Sequence, residues 1–568
     1  MNYRWTFRKR ADESIIQGLV SSLNVPKSLA QVLIARGVFS KEDAKRFFEP
    51  ALDDLHDPFL MDGMDIAVER ILHAINKKEA IWIHGDYDVD GTASTSMMLQ
   101  FLREVGAEVN YYIPDRFKEG YGLSVNSVQK AKKRNTKLII TVDVGITSYE
   151  AIDYANSIDM DVIICDHHEP GDIIPKVLTI LDPLKPGCNY PFKNLAACGV
   201  AFKLVQGLAN TLNIPEKAYE YLDFVAISSA ADMVPLIGEN RTLVYYGLEL
   251  INNKPRPGIK GLIDCTRQKL GSINTSTIIY SLAPLINAAG RLGDARRSVD
   301  MMTQKDETVA FQIAQKLEQE NRRRRIFDEQ TFEETIPMAE KLLKDYPWRS
   351  LVLHAPHWHA GVIGIVASRL VDRFHLPTVL LTTIDNLAKG SARSIHDFDI
   401  HRALKTCGHL LIEYGGHKHA AGLTLKEEDI VEFRESLEKV AETRISSDML
   451  IPEIVVDAEL KLYELSPVFL DILNKFAPYG FDNNKPIFFS EGVTSANGVK
   501  IVGKNHLKFR AYQSFEIDAI GYNLGDKIDI CTNGKPFSML FNIEENLFNG
   551  HSSTQLRIKD IRTEEALQ

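Results

Sequence analysis

An apolar run that breaks into a histidine and three carboxylates at alternate positions constrains this sequence most: Ala80-Ile81-Trp82-Ile83-His84-Gly85-Asp86-Tyr87-Asp88-Val89-Asp90-Gly91. Carboxylates packed this closely repel one another unless cations sit between them, so the stretch reads as a divalent-metal site at a strand's end. A helix-like run, 92–105, follows the glycine. D-x-D-x-D-G also opens an EF-hand loop, but that loop needs a bidentate Glu at position twelve. Here that position is Met97, inside an apolar helical run, and the EF-hand reading fails. A solvated acidic turn is the plain alternative, and the rest of the chain argues against it.

The pattern recurs. Lys137-Leu138-Ile139-Ile140-Thr141-Val142-Asp143 is a second buried-strand pattern ending in a carboxylate. Asp161-Val162-Ile163-Ile164-Cys165-Asp166-His167-His168 is a third, ending in a cluster of ligand-type residues. Helical patterns at 92–105, 124–134 and 148–157 separate these strands, which implies right-handed crossovers and a parallel sheet. Sites in such sheets form beyond the carboxyl ends of the strands, where all three clusters fall. Asp232, after an apolar helix from Tyr221, is a fourth candidate.

These residues carry a resemblance. His84-Gly85-Asp86-Tyr87-Asp88-Val89-Asp90-Gly91, Thr141-Val142-Asp143 and Asp166-His167-His168 resemble the successive motifs of the DHH phosphoesterase superfamily. Gly415-Gly416-His417-Lys418-His419-Ala420-Ala421-Gly422 is similar to the signature of its companion DHHA1 domain. Three further stretches are more restrictive: Ile113-Pro114-Asp115-Arg116 with Gly120-Tyr121-Gly122, Asn287-Ala288-Ala289-Gly290-Arg291, and His357-Trp358-His359-Ala360-Gly361-Val362-Ile363-Gly364. Together the set resembles the bacterial RecJ family of single-strand-specific exonucleases over essentially the whole chain.

At 568 residues the chain needs several cores, and its composition, 45% hydrophobic and 25% charged, is that of an ordinary globular protein. The first ten residues lack the apolar core of a signal peptide, and no apolar run reaches membrane-spanning length, so a soluble cytoplasmic protein is expected. Six cysteines without C-x-x-C pairing read as reduced, mostly buried thiols. Cys165 beside two histidines reads as strand interior rather than a zinc ligand. A net charge of −10 does not exclude nucleic acid, because a clustered acidic site supplies much of the sign and local basic surface decides binding.

Five parts follow along the chain. Residues 1–58 form an N-terminal segment and 59–304 the metal-bearing α/β domain. Residues 305–347 read as one long helix, about 60 Å at 1.5 Å per residue, that Pro337 should kink or split. A second α/β domain spans 348–448, with strands at 351–354 and 378–381 and helices at 361–374 and 426–444. From 449 to 568, short β-type segments such as 454–462, 486–489 and 506–512 predict a small antiparallel barrel, to which the resemblance adds an OB-fold. Gly498-Val499-Lys500-Ile501-Val502-Gly503-Lys504-Asn505 nearly spells a P-loop, but it lacks the final Ser/Thr and runs into a strand pattern.

The superfamily pattern implies two adjacent metal sites: His84, Asp86 and Asp143 in one, and Asp88, Asp143, His167 and Asp232 in the other, with Asp143 bridging. Oxygen and imidazole donors without thiolate suit Mn²⁺ or Mg²⁺. Two such ions provide a route to phosphodiester hydrolysis. His168 would then face the scissile phosphate, and Asp90 and Asp166 would orient ligands or cap turns. Arg116, Arg291 and Arg393 have guanidinium geometry suited to phosphate. By resemblance Asn287, His359, Ser391 and His417 help form the substrate wall. Arg322-Arg323-Arg324-Arg325 points all round its helix, so a solvated face is expected there, from which one or two could touch a DNA backbone. In 496–515, Lys500, Lys504, Lys508 and Arg510 interleave with Phe509, Tyr512 and Phe515, which suits single-stranded nucleic acid or, equally, core aromatics under solvated lysines.

The resemblance implies a 5′ to 3′ exonuclease on single-stranded DNA in recombination and repair, and a self-contained cleft fits a monomer. Single-strand-binding protein and a RecQ-type helicase would be its partners. The competing expectations are a DHH-type phosphodiesterase for oligoribonucleotides or cyclic dinucleotides, and an inactive nucleic-acid scaffold.

Overall fold

The computed structural model describes residues 3–116, 118–548 and 551–564. The continuous apolar runs that end in carboxylates become the strands of one all-parallel sheet. Its order is Val109–Tyr112, Ala80–Gly85, Thr136–Val142, Asp161–Cys165 and Thr179–Leu181. Such strands are apolar throughout because both faces are covered. Helices Val89–Glu104, Ala197–Thr211 and Leu222–Ala231 pack on one face, and Val125–Lys132 and Tyr149–Ser157 on the other.

Glu307–Asp345 is one helix of 39 residues that passes through Pro337 without breaking. The expected split does not occur. A proline removes one helical hydrogen bond, and here the residues on either side of it compensate. Phe332, Ile336, Ala339, Leu342 and Leu343 all join one apolar cluster with strand Leu351–His354 and helix Ala360–Phe374. The second sheet runs Glu413–Gly416, Ala420–Lys426, Leu387–Arg393, Thr378–Ile384, Leu351–His354, with only the last pair parallel. Its final helix starts at Ile430, after a short turn at Glu427–Asp429.

The C-terminal strands close into a barrel, in the order Phe488–Val502, His506–Tyr512, Glu516–Gly521, His551–Thr563, Phe537–Phe548 and back to Phe488–Val502. It is mixed rather than antiparallel. Glu516–Gly521 pairs parallel with His551–Thr563, and Ala458–Glu459 parallel with Phe488–Val502. A parallel pair needs a long connection. Helix Ile528–Thr532 and strand Phe537–Phe548 lie between the first pair and supply it.

The N-terminal segment does not stand alone. Its helices Glu13–Leu23, Lys27–Ala35 and Lys41–Phe48 share one apolar core with the barrel, and Arg4–Phe7 pairs parallel with Glu453–Val456. Asp457 draws Arg8 (3.0 Å) and Arg36 (3.2 Å) to that seam, and Trp5 Nε1 donates to Asp560 at 2.8 Å. All six cysteines are free, five of them buried. No helix among the described residues is long and apolar enough to cross a membrane.

Phe509 is 2% exposed and meets Phe537 edge-on at 6.0 Å, so it is a core residue and not a surface for a base. Phe509→Leu should therefore cost the barrel about 1 kcal/mol. In a denaturant titration the midpoint shifts, while affinity for single-stranded DNA stays that of the parent.

Candidate active site

The carboxyl ends of the parallel strands meet at one acidic cleft. Ala80–Gly85 ends at His84 and delivers Asp86, after which the chain turns straight into helix Val89–Glu104. Asp88 caps that helix, its Oδ1 accepting from the Gly91 N–H at 3.1 Å. Gly91 is required: a Cβ there would lie 2.6 Å from the Asp86 main chain. Asp143, just past Thr136–Val142, takes φ +64°, and its N–H reaches the Cys165 carbonyl at 3.0 Å. A non-glycine residue held in the left-handed region by its neighbours is common where a side chain must be aimed.

One oxygen each of Asp86, Asp88 and Asp143 lies within 4.8 Å of the others. Asp143 with His167 and His168 forms a second such set, and Asp90, His167 and Asp232 a third. His167 Nε2 stands 3.4 Å from Asp143 and 3.8 Å from Asp232. Burial, then mutual repulsion, pushes the carboxyls of Asp86, Asp88, Asp143 and Asp232 above their ordinary range. His84 falls outside these sets. Its Nε2 lies 3.3 Å from the Gly122 carbonyl, and burial pushes it down to about 4, so the imidazole is neutral.

The residues fit divalent cations. His84 Nδ1 and Asp86 Oδ1 are buried without a hydrogen-bond partner. One oxygen each of three carboxylates shares one small volume. The donors are oxygen and imidazole, because burial pushes the Cys165 thiol up and keeps it protonated. Such a set suits Mn²⁺ or Mg²⁺.

Asp90, a member of the third set, and Asp166 are both anchored by hydrogen bonds of their own. Asp90 accepts from the Ala197 and Cys198 N–H groups, both at 2.8 Å, at the start of helix Ala197–Thr211, and from Ser228 at 2.6 Å. Asp166 accepts from the Ile146 N–H and from His168 Nδ1 at 2.7 Å. Burial opposes the charged form of His168, but Asp166 overcomes it and pushes His168 up to about 9.

Opposite the carboxylates lies a cluster of guanidiniums. Burial, and then the charges of Arg116, Arg324 and Arg393, push Arg291 down to about 10. Arg393 is lowered by burial and by Arg116. Arg291 donates to the Gly361 carbonyl at 3.2 Å and Arg393 to Ser391 Oγ at 2.9 Å. A Cβ at Gly364 would fall 2.8 Å from Ser391 Oγ, so the start of helix Ala360–Phe374 is the floor beneath both. His359 caps that helix and stacks on Phe327 at 5.4 Å. Asn287, one turn before Arg291, is half-buried on the same face. Across the cleft His168 stacks on His417 of the second sheet, centroids 5.9 Å apart and planes at 17°.

Sequence reasoning missed three residues here. Tyr121 donates to the Asp143 carbonyl at 3.0 Å and reaches His168. Its flanking glycines, at φ +79° and +91°, were the available signal. Asp182 ends the fifth strand as the other carboxylates end theirs, and burial pushes it up to about 7. Arg324, expected on a solvated face, instead turns inward to Asn321 and Asp328, whereas Arg322 pairs with Glu318 at the surface.

Comparison with known proteins agrees part by part. Residues 80–228 match the DHH family N-terminal domain, 349–443 the DHHA1 domain and 456–560 the RecJ OB domain. The Single-stranded-DNA-specific exonuclease RecJ of Bacillus subtilis is 38% identical over 566 residues, spanning 99% of this chain and 71% of that protein. The chain belongs to the RecJ family. RecJ of Escherichia coli is 32% identical over 560 residues, covering 94% of this chain and 96% of its own. Among solved RecJ structures, the Mn²⁺ complex from Thermus thermophilus superposes with a TM-score of 0.86 at 28% identity, covering 99% of this chain and 79% of that one. A RecJ exonuclease bound to manganese gives 0.60 at 32% identity over 70% and 97%.

On the RecJ barrel, Arg510 is held by Glu516 (3.1 Å) and Asp518 (3.5 Å). Lys500 and Lys508 face each other across paired strands, and neither they nor Lys504 has an ion-pair partner among the described residues. Like charges directly opposite repel, which leaves this strip suited to an anion.

Asp143→Asn should act with opposite signs in the two metal conditions. Removing a buried, repelling carboxylate raises the metal-free melting temperature. The stabilisation that Mn²⁺ gives the parent, about 2.7 kcal/mol at a hundredfold excess over Kd, is lost. Thermal melts with and without Mn²⁺ read both effects.

Proposed function

We propose that this protein is a metal-dependent exonuclease specific for single-stranded DNA, working from the 5′ end and releasing mononucleotides. The observation that carries the proposal is one cleft with a carboxylate–histidine cluster on one wall and converging guanidiniums on the other. The two are electrostatically coupled: Arg116 acts on Asp86, and Asp88 on Arg291. The relatives' name, single-stranded-DNA-specific exonuclease, and the Mn²⁺ and Mg²⁺ complexes of the Thermus thermophilus protein support it.

His84, Asp86, Asp88, Asp143, His167 and Asp232 would hold two ions, which when bound activate a water and neutralise charge on the phosphoryl oxygens. Arg116, Arg291 and Arg393, with Ser391, hold a strand's terminal phosphate, so the next phosphodiester lies over the carboxylates and one nucleotide leaves at a time. His168, charged and oriented by Asp166, donates a hydrogen bond to the scissile phosphate, and His417 stacks on it to close the cleft. The lysine strip of the barrel gathers the incoming strand, and the narrow cleft excludes a duplex.

We read the functional parts as a metal-bearing domain at 59–304, a connecting helix at 305–347, a second wall at 348–448 and a strand-collecting barrel from 449 onward. The enzyme would act in the cytoplasm as a monomer, on strands that a RecQ-type helicase exposes and single-strand-binding protein coats.

With Mn²⁺ and end-labelled single-stranded DNA, a 5′ label should leave at once as a mononucleotide, and Asp143→Ala should abolish the release. Arg291→Ala should lower kcat/KM by about 10²-fold on 5′-phosphorylated strands and much less on 5′-hydroxyl strands. Turnover of cyclic dinucleotides or very short RNA instead of DNA would move the assignment to a small phosphodiesterase.

A further inference from the structure

Arg241 lies on helix Gly238–Asn253, and only 3% of it is exposed. Burial pushes it down to about 10, so it is charged at neutral pH, yet no carboxylate pairs with it among the described residues. Instead its guanidinium donates to five main-chain carbonyls: Nε to Phe47 (2.9 Å), Nη1 to Phe476 (2.9 Å) and Pro478 (3.4 Å), Nη2 to Lys475 (3.1 Å) and Ala477 (2.8 Å). All five N–H donors of the side chain are thus used, each on a different carbonyl. The plane also lies over the Phe47 ring at 3.9 Å.

Phe47 lies in the last turn of helix Lys41–Phe48, and Lys475 caps helix Pro467–Asn474. Two helix C-termini therefore point at one cation, and their partial negative charge takes the place of a carboxylate. Both helices belong to the unit that the N-terminal segment forms with the barrel. The same turn is tied to the metal-bearing domain twice more: the Leu236 N–H donates to the Phe481 carbonyl at 2.8 Å, and Thr275 Oγ1 to the Tyr479 carbonyl at 2.5 Å. Leu236 stands four residues beyond Asp232 in the same loop. Gly480 packs so close to it that a Cβ would lie 2.4 Å from the Leu236 side chain.

We infer that Arg241 is a positioning residue that fixes where the barrel stands relative to the carboxylate cluster, and so controls how long strands are handled while leaving the chemistry of a short one alone. The inference rests on the exonuclease reading for its kinetic part and on geometry alone for the clamp. Lysine keeps the charge but has three donors and no planar fork, so Arg241→Lys leaves carbonyls unpaired. Thr275→Val removes a single bond at the same seam and serves as the milder variant.

The experiment pairs amide hydrogen exchange with kinetics in Mn²⁺ on a trinucleotide and on a strand long enough to reach the barrel. In Arg241→Lys, exchange at 475–483 and at Leu236 should quicken about tenfold, while His506–Tyr512 and Glu516–Gly521 exchange as in the parent. The KM for the long strand should rise about tenfold with trinucleotide turnover unchanged. Thr275→Val should move the same readouts less. Unaltered exchange at 475–483, or an equal loss on both substrates, overturns the inference. If the parent cleaves neither substrate the exonuclease reading falls by itself, and the exchange pattern still decides the clamp.

Discussion

Mutual repulsion among buried carboxylates governs the architecture around it. Buried Asp86 and Asp143, half-buried Asp88 and the more exposed Asp232 are brought together at the carboxyl ends of one parallel sheet's strands, where removal from water makes each charge more costly to the next. Such an arrangement persists only if its backbone is over-determined and its charge has somewhere to go. The over-determination is visible in Gly91 against the Asp86 main chain, in Asp143 at positive φ, and in Asp90 spending both oxygens on the start of a neighbouring helix. His84 Nδ1 and Asp86 Oδ1 are buried without a hydrogen-bond partner, which fits a cation beside them.

The arginine cluster is the counterpart of this edge. Beyond the effect of burial, Arg116, Arg324 and Arg393 lower the proton affinity of Arg291, and Arg116 lowers that of Arg393, as the carboxylates raise one another's. Each wall is unfavourable by itself, and a polyanion lying between bound cations and guanidiniums relieves both. The 39-residue helix carries Arg324 and Phe327 into this wall and also packs the second sheet against it, so the distance between the two domains is set by one rigid element. The His168–His417 stack marks where the two walls touch.

The chain's two ends form a single body. The first 48 residues contribute three helices to the barrel's core, and a parallel strand pair and the Asp457–Arg8–Arg36 contacts seal the join. That body is fastened to the metal-bearing domain through Arg241 and the turn at 475–481. The loop that carries Asp232 is therefore hydrogen-bonded to the barrel's base.

Local chemistry was legible in the sequence. The alternation of apolar runs with carboxylates fixes strands, crossovers and the side of the sheet on which a site must form, because period and turn residues are local properties. The convergence of Asp86, Asp88, Asp143 and His167 was readable for that reason. What depends on distant packing was not. Pro337 lies inside an unbroken helix because residues in the next domain hold its flanks, and Phe509 faces the barrel's core because closure decides which face is inside. Arg324 turns inward only once Asp328 and the neighbouring helix are in place. The pairing of the N-terminus with the barrel joins residues more than four hundred positions apart, and no periodicity in either segment encodes its partner.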